Sequence, residues 1–203
     1  MAPAAALEAL WLELSGRLVD RVAHEIKNPL NGLAVNLEVL RTRVARGAPS
    51  DALASYVDAA ASELARTTEL VESLLALARP VRQPIDLWGT LRVLGTLYGA
   101  VAAAAGGSVV VERPDDVSDS STADPTAARA ALALALESAI AVGGSVRCTI
   151  ERSGGEWVVR LHTSNRPPPF ADAVLDVLAR AGLAVRCDPN GLTVLAGSPA
   201  ALD

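Results

Sequence analysis

Aromatic residues, cysteines and basic charge are all scarce in this chain, and each scarcity excludes a class of protein. Phe, Trp and Tyr make up 3% of the 203 residues, while hydrophobic residues make up 51%, which favours helices rich in alanine and leucine over a β-sandwich. Two cysteines are too few for a disulfide framework. A net charge of −5 argues against nucleic-acid binding, because proteins that bind phosphate backbones carry a basic excess. The simplest interpretation is a cytoplasmic protein.

Signals for export and membrane insertion are also lacking. The N-terminal segment carries Glu8 and Glu13 and has no basic region, so it does not resemble a signal peptide. The stretch Val93–Val111 has no charged residue, but Gly106 and Gly107 predict a buried helix that ends there, followed by a strand. We therefore expect no membrane insertion, no anchor and no sensor region, so that any signal would arrive through a partner.

The first half of the chain has the pattern of two long helices. Apolar residues recur at steps of three and four along residues 19–44 and again along 53–78. Gly47 suits the end of the first helix, and Ser50 or Asp51 suits the N-cap of the second. Helices joined by so short a loop must run antiparallel.

A single hairpin cannot cover all of its apolar flanks. Ala34, Leu70 and Leu77 lie beside the main apolar stripe of the two helices. Pairing with a second copy covers them, so we predict a homodimeric four-helix bundle. The alternative is an intramolecular bundle that the second half of the chain closes.

The pattern changes after Arg79–Pro80 to mixed helix and strand, which divides the chain into domains 1–80 and 81–203. Asp124 followed by Pro125 is a good helix start. The predicted fold class is α+β, with the helical hairpin followed by a small two-layer α/β domain. Its predicted elements are helices 86–105, 125–142 and 171–181 and strands 108–112, 145–152, 156–163, 184–187 and 192–196, with a polar loop over 113–123 and a turn at Gly154–Gly155.

The residues that suggest chemistry lie in the first helix, in the segment RVAHEIKNPLNG over residues 21–32. His24 precedes the core position Ile26 by two residues, which turns it about 200° away from the core toward solvent. Steps of four and three along its own face lead to Asn28 and Asn31. Histidine titrates near neutral pH, so an exposed histidine beside the carboxylate of Glu25 suits a nucleophile or proton carrier.

The alternative without function is that this histidine is an ordinary surface residue. A metal site is not predicted. The zinc-protease pattern needs a second histidine four residues after the first, where this chain has Asn28. The other histidine, His162, lies on a predicted strand. Pro29 removes a backbone donor and clashes with the carbonyl of Glu25, which predicts a kink beside His24.

The segment Val22–Leu33 resembles the H-box of bacterial two-component sensor histidine kinases, and LLALARP at the end of the second helix is similar to the end of the same domain. In that family this domain is a homodimeric four-helix bundle that accepts a phosphoryl group. The resemblance implies that His24 is the phosphoaccepting histidine. It implies that Glu25 orients the imidazole or takes its proton. Asn28 would orient the phosphoryl group or a hydrolytic water.

The resemblance weakens in the second half, where the family has an ATP-binding α/β domain of the Bergerat fold. Its magnesium-binding asparagine should fall near Ser138, whose hydroxyl is a poor substitute. Its D-x-G-x-G box should follow the strand Val158–Leu161, where the chain reads HTSNRPPP. The chain then has no room for a mobile ATP lid before the next helix. We therefore predict a degenerate domain without ATP binding.

An intact histidine face beside such a domain is similar to the dimeric histidine phosphotransferases of phosphorelays. In that interpretation His24 carries a phosphoryl group between aspartates of response-regulator receiver domains. The receiver supplies Mg²⁺, so the chain needs no cofactor of its own. Lys27, Asn31 and Val35 are the predicted docking residues for the receiver.

Three alternatives stay open. The first is an ATP-dependent sensor-type kinase with a divergent nucleotide site or with a catalytic domain from another chain. The second is a phosphatase that acts on receivers through Asn28. The third is a non-catalytic module that binds a receiver or a kinase.

Overall fold

The computed structural model of the protein describes residues 3–80, 84–112, 120–153, 156–189 and 191–196. Its first half is an antiparallel pair of long helices, α1 (Pro3–Ala45) and α2 (Asp51–Ala78). A small α/β domain follows. The predicted fold class is confirmed. The predicted domain boundary falls beside residues 81–83, which lie outside the described residues, so the boundary stays a prediction.

The turn between the two helices is set by one glycine. Gly47 has a φ of 70°, a left-handed conformation that favours glycine. The Gly47 N–H donates to the Val44 carbonyl at 3.0 Å, and the Ala48 N–H donates to the Arg43 carbonyl at 3.1 Å. This pair of bonds is a Schellman motif, which ends α1 and reverses the chain. Ser50 occupies the predicted N-cap of α2, but its side chain makes no capping hydrogen bond.

Helix α1 is longer at its start than the heptad pattern predicts. The pattern begins at Val19, whereas the helix begins at Pro3 and includes the buried leucines Leu7, Leu14 and Leu18. The helix runs unbroken through Pro29. The kink at Pro29 stays a prediction.

The second half contains three further helices and a five-stranded sheet. The helices are α3 (Leu87–Ala104), α4 (Pro125–Ala141) and α5 (Asp172–Ala179). The strands are β1 (Ile85–Asp86), β2 (Ser108–Val111), β3 (Ser120–Ser121), β4 (Ser145–Ser153), β5 (Glu156–His162), β6 (Leu183–Asp188) and β7 (Gly191–Ala196). The sheet order is β2-β4-β5-β7-β6, in which β2 and β4 are parallel and the other pairs are antiparallel.

The strand β4 has one covered face and one more exposed face. Along β4 the buried residues Val146, Cys148 and Ile150 alternate with the more exposed Arg147 and Thr149, as expected when helices pack on one side only. The domain is therefore two layers, sheet and helices.

The predicted cap at Asp124 is confirmed, since its carboxylate accepts a hydrogen bond from the Ala127 N–H at 2.9 Å.

Some of the predicted connections differ. The predicted loop 113–123 contains β3, which pairs with β1 through Ile85↔Ser121 and Asp86↔Ser120; residues 113–119 lie outside the described residues. Two-residue strands are too short to leave a periodic signal. The turn at Gly154–Gly155 also lies outside the described residues, although the flanking strands pair as predicted from Ser153↔Glu156 onward.

The uncharged stretch Val93–Val111 forms most of α3 and all of β2, as predicted. Leu91, Leu94 and Leu97 of α3 are fully buried. Among the helices in the described part of the chain, none is long and apolar enough to cross a membrane.

The apolar flanks of the hairpin are covered in a different way from the predicted one. Leu70 and Leu77 of α2 are buried in the core that the α/β domain forms with the hairpin, so covering them does not require a second copy. The main heptad stripe is instead open over much of its length. Its large hydrophobic members that are more than a third exposed are Val19, Leu30, Leu37, Val44, Val57, Leu64 and Val71. The intramolecular alternative therefore holds for one flank only, because the α/β domain reaches just one side of the hairpin.

Two glycines of α3 provide a matched test of its packing on β2. A Cβ at Gly95 would overlap the side chain of Val111, whereas a Cβ at Gly99 would lie 3.8 Å from the Val109 Cβ, an ordinary contact. Alanine in a helix interior is favoured over glycine by up to about 1 kcal/mol. Overpacking costs about 1–3 kcal/mol.

We expect Gly95→Ala to lower the free energy of unfolding by about 1–2 kcal/mol after that gain is subtracted. Gly99→Ala should raise the same quantity by up to about 1 kcal/mol. Urea unfolding monitored by circular dichroism measures both. Equal shifts of the two midpoints would show that the close approach of α3 and β2 does not matter.

Candidate functional site

His24 lies on α1 with its side chain exposed, as the helical spacing predicts. Asn28, Asn31 and Val35 follow it up the same face, and each is exposed, Val35 by 63%. We call this set of four residues the His24 face. It points away from the exposed heptad stripe, since His24 and Leu30 lie about 120° apart around the helix.

The side chains of His24, Glu25, Lys27 and Asn28 make no hydrogen bond or ion pair within the described part of the chain. Glu25 is half-buried, while Lys27 and Asn28 are exposed. The structure thus places all six predicted site residues along one stretch of α1, and their roles stay predictions.

The His24 face continues toward the start of α1 through two arginines that sequence reasoning missed. Arg21 and Arg17 precede His24 by three and seven residues, and both approach Glu137 of α4. The nearer pair joins Arg17 Nη2 to Glu137 Oε2 at 3.0 Å, and the farther joins Arg21 Nη1 to Glu137 Oε1 at 3.8 Å. The hydrogen bond with Glu137 raises the pKa of Arg17 above its usual value.

The signal for this contact was present in the sequence. Helix α4 is almost entirely alanine and leucine, and its charged residues are Arg129 and Glu137 alone. A lone acid in an apolar helix predicts a basic partner. The partner could not be identified, because it lies 120 residues away in the chain.

Arg129, the other charged residue of α4, binds the end of α2. Its guanidinium donates to the carbonyl of Leu77 at 3.0 Å and to that of Arg79 at 3.2 Å. The same group lies 5.8 Å from the centre of the Trp11 ring of α1. Burial lowers the pKa of Arg129. Arg129 and Glu137 therefore fasten α4 to both helices of the hairpin.

The position where the resembled family has a magnesium-binding asparagine is buried. Ser138, at this position, is 9% exposed, and its Oγ is buried without a hydrogen-bond partner among the described residues. Its helix α4 lies between the sheet and α1. Ser138 therefore offers no ligand at a surface open to a nucleotide.

The segment between β5 and α5 is short and folded back. Residues 163–171 make the connection. The Thr163 hydroxyl donates to the Asn165 carbonyl at 2.7 Å, and the Asn165 amide donates to the Val142 carbonyl at 3.2 Å. These bonds hold the connection against the end of α4, where the resembled family has its lid.

The cysteines do not compete with His24 as nucleophiles. Burial raises the pKa of the Cys148 thiol to about 12 and also raises that of Cys187, so both are thiols at neutral pH. Within the described residues, no group of three or more His, Cys, Asp or Glu side chains is placed to hold a metal ion. His162 is exposed at the end of β5.

Most of the helical hairpin, including the exposed His24, lies within a segment that matches a known family model. Residues 14–82 match the family model described as the His Kinase A (phospho-acceptor) domain. Over these residues, about a third of its length, the chain is similar to the phospho-acceptor domains of histidine kinases. The match ends before the α/β domain.

A curated relative and several solved structures are similar to the chain. Sporulation kinase D of Bacillus subtilis (strain 168) is 29% identical over 90 residues, which are 44% of this chain and 17% of the kinase. The chain therefore spans about a sixth of the length of the curated relative it matches.

Three solved structures have the same low TM-score of 0.44. The histidine kinase AdeS of Acinetobacter baumannii is 14% identical, with 86% of this chain and 97% of that chain covered. The histidine kinase ThkA, in complex with the response regulator protein TrrA, is 18% identical, with 91% and 61% covered. A bacterial phosphotransferase is 15% identical, with 92% and 96% covered. Likenesses at this score carry no weight for function.

The contacts of Arg129 yield a stability test. Arg129→Met keeps the aliphatic stem and removes the guanidinium, so the carbonyls of Leu77 and Arg79 lose their donor. We expect the free energy of unfolding to fall by about 2 kcal/mol. Urea unfolding measures this loss.

Arg152→Met is the matched control. Arg152 lies 5.6 Å from the centre of the Trp157 ring and is exposed. Its loss should cost less than about 1 kcal/mol. Equal losses for the two variants would show that the carbonyl contacts of Arg129 contribute nothing.

Proposed function

We propose that the protein is a cytoplasmic histidine phosphotransferase of a two-component phosphorelay that works without ATP. His24 would accept a phosphoryl group from the aspartate of one receiver domain and pass it to the aspartate of another. The match of residues 14–82 to the phospho-acceptor domain supports the role of His24. Its exposure on a long helix gives a receiver access to the imidazole.

The transfer reaction requires few catalytic groups from this chain. An imidazole nitrogen of His24 attacks the phosphorus of the aspartyl phosphate, a P–N bond forms, and the P–O bond to the aspartate breaks. The carboxylate leaves with the electron pair of that bond, and no further reactant is consumed. Such a transfer depends on positioning and on charge stabilisation. In this proposal Mg²⁺ comes with the receiver.

The roles of the neighbouring residues follow the order of the motif. Glu25, the next residue along α1, would orient the imidazole or take its proton. Asn28, one turn further, would orient the phosphoryl group or a hydrolytic water. Lys27, Asn31 and Val35 would contact the receiver, since all three are exposed around the same stretch of helix.

The observation that carries the proposal against a kinase is the packing of α4. A kinase must bring the γ-phosphate of ATP to the histidine. Here α4 is enclosed between the sheet and α1, and Ser138 is buried within it. Arg129 and Glu137 bind this helix to the hairpin. A domain held in this way is suited to support or docking rather than to nucleotide delivery.

We also propose that the protein is a homodimer through its open heptad stripe. Leu30, Leu37 and Val44 of α1 are spaced by seven residues, as are Val57, Leu64 and Val71 of α2. Seven-residue spacing on two adjacent helices is the pattern of a four-helix bundle. A second copy would bury both rows at once.

The second candidate function is an ATP-dependent histidine kinase. The full sequence HEIKN, with both Glu25 and Asn28, favours it, because a pure phosphotransferase has less need of that pair. The curated relative is also named as a kinase. In that case the nucleotide site would be divergent or would come from another chain.

The first experiment separates these functions. The purified protein is incubated with radiolabelled Mg-ATP, and separately with a panel of receiver domains phosphorylated with labelled acetyl phosphate. We expect no label from ATP and acid-labile, base-stable label from at least one receiver. His24→Ala should abolish it, while His162→Ala, the change at the other histidine of the chain, should retain it.

Three outcomes would contradict the proposal. Label from ATP alone on His24 would make the protein a kinase with an unrecognised nucleotide site. Label on the folded His24→Ala variant would remove His24 from the reaction. If no receiver transfers label, the protein is a binding module and not a phosphotransferase.

The dimer is tested by charge substitution. Leu37→Glu places a carboxylate in the centre of the proposed seam, and we expect sedimentation velocity to show a monomer because an unpaired buried charge is costly. Val110→Glu is the control, since Val110 on β2 and Leu37 are each 53% exposed. That variant should remain dimeric. A monomeric wild-type protein would refute the seam.

A further inference from the structure

We propose that Arg21 binds the phosphoryl group on His24 and that Glu137 holds Arg21 in readiness when the histidine is unphosphorylated. This inference rests on the proposed role of His24 as the phosphoacceptor. It adds a phosphoryl-binding residue that lies outside the HEIKNP motif and connects it with the α/β domain.

Helical geometry places Arg21 beside the histidine. Residues three apart on a helix have Cβ atoms about 5–6 Å apart. The Cα–Cβ bonds of a helix also tilt toward its N-terminus, so the His24 side chain leans over the turn that contains Arg21. A long arginine side chain can therefore reach a phosphoryl group on the imidazole.

The ion pair that holds Arg21 is loose. Its guanidinium lies 3.8 Å from Glu137 Oε1, whereas that of Arg17 lies 3.0 Å from the other carboxylate oxygen. The Arg21 side chain is 43% exposed. Arg21 can leave Glu137 at little cost, and Arg17 then continues to neutralise the carboxylate.

The charge around His24 explains why such a residue is useful. Asp20 lies one turn before the histidine and Glu25 directly follows it, and both are acidic. Phosphorylation adds a charge of about −1.5 to −2 at neutral pH. Lys27 supplies one cation from the turn above, and Arg21 supplies a planar guanidinium that suits phosphate oxygens.

Phosphoramidate tests the proposal without any partner protein. The imidazole nitrogen attacks phosphorus, the P–N bond to ammonia breaks, and ammonia leaves with the bonding electrons and with hydrogens it already carries. His162 reports the unassisted reaction in the same sample. Phosphorylation of each histidine is followed by ³¹P NMR and by mass spectrometry of peptides.

We expect Arg21→Ala to slow phosphorylation of His24 roughly tenfold, which is the effect of one charge-assisted contact. The rate at His162 should not change. Arg21→Lys should recover most of the rate, because it restores the cation. Circular dichroism and sedimentation velocity check that each variant keeps its fold and assembly.

Glu137→Gln separates this role from a structural one. If Arg21 served only to fasten α4 to α1, both Glu137→Gln and Arg21→Ala would slow the reaction. In our proposal Glu137→Gln releases Arg21, so the rate at His24 stays the same or rises. Slowing by Glu137→Gln, or an unchanged rate in Arg21→Ala, would overturn the assignment of Arg21.

The wild-type protein distinguishes this failure from failure of the proposed function. If wild-type His24 reacts no faster than His162, then His24 is not an activated phosphoacceptor and both proposals fall. If His24 reacts faster and Arg21→Ala matches the wild type, only the role of Arg21 falls.

Discussion

The arrangement of this molecule depends on one helix that is buried on both sides. Helix α4 has alanines and leucines all around its surface, and Ala127, Ala131 and Leu136 are fully buried. One side packs on the sheet and the other packs on α1. Small side chains let neighbouring elements approach closely, and close approach maximises dispersion contacts. Such a helix cannot be exposed to water without losing a large part of the core, so it fixes the α/β domain against the hairpin.

The two charged residues of α4 fix the position of the helix within that packing. A purely apolar interface allows sliding, whereas Arg129 and Glu137 each require a particular partner. Arg129 reaches carbonyls at the end of α2, and Glu137 reaches Arg17 and Arg21 in the first half of α1. Both contacts lie at edges where solvent enters, so neither carries the full penalty of a buried charge. They set the register of the domain beneath the His24 face.

The sequence allowed the local features to be predicted and left the long-range ones open. Heptad spacing, Gly47 and the Asp124–Pro125 pair act through neighbouring residues, and the structure confirms the elements they predict. The cover of Leu70 and Leu77 was predicted wrongly, because a periodic stripe shows which residues need burial and not what buries them. Helix α4 has no polar face, so its orientation could not be read from its pattern. The pairing of Glu137 with Arg17 joins distant parts of the chain.

The two ion pairs of Glu137, with Arg17 and with Arg21, link the proposed chemistry at His24 to the contact between α1 and α4. If Arg21 moves to a phosphoryl group on His24, the contact between α1 and α4 loses one of its two ion pairs and keeps the shorter one. By linkage, whatever strengthens the ion pair between Arg21 and Glu137 then weakens phosphorylation by the same factor. An exposed ion pair contributes up to about 1 kcal/mol, so the coupling is limited to roughly fivefold in an equilibrium constant. Apolar packing of α4 dominates the contact, so the domain would stay docked while the balance at His24 shifts. The α/β domain would then shift the phosphorylation equilibrium of His24 without binding any nucleotide.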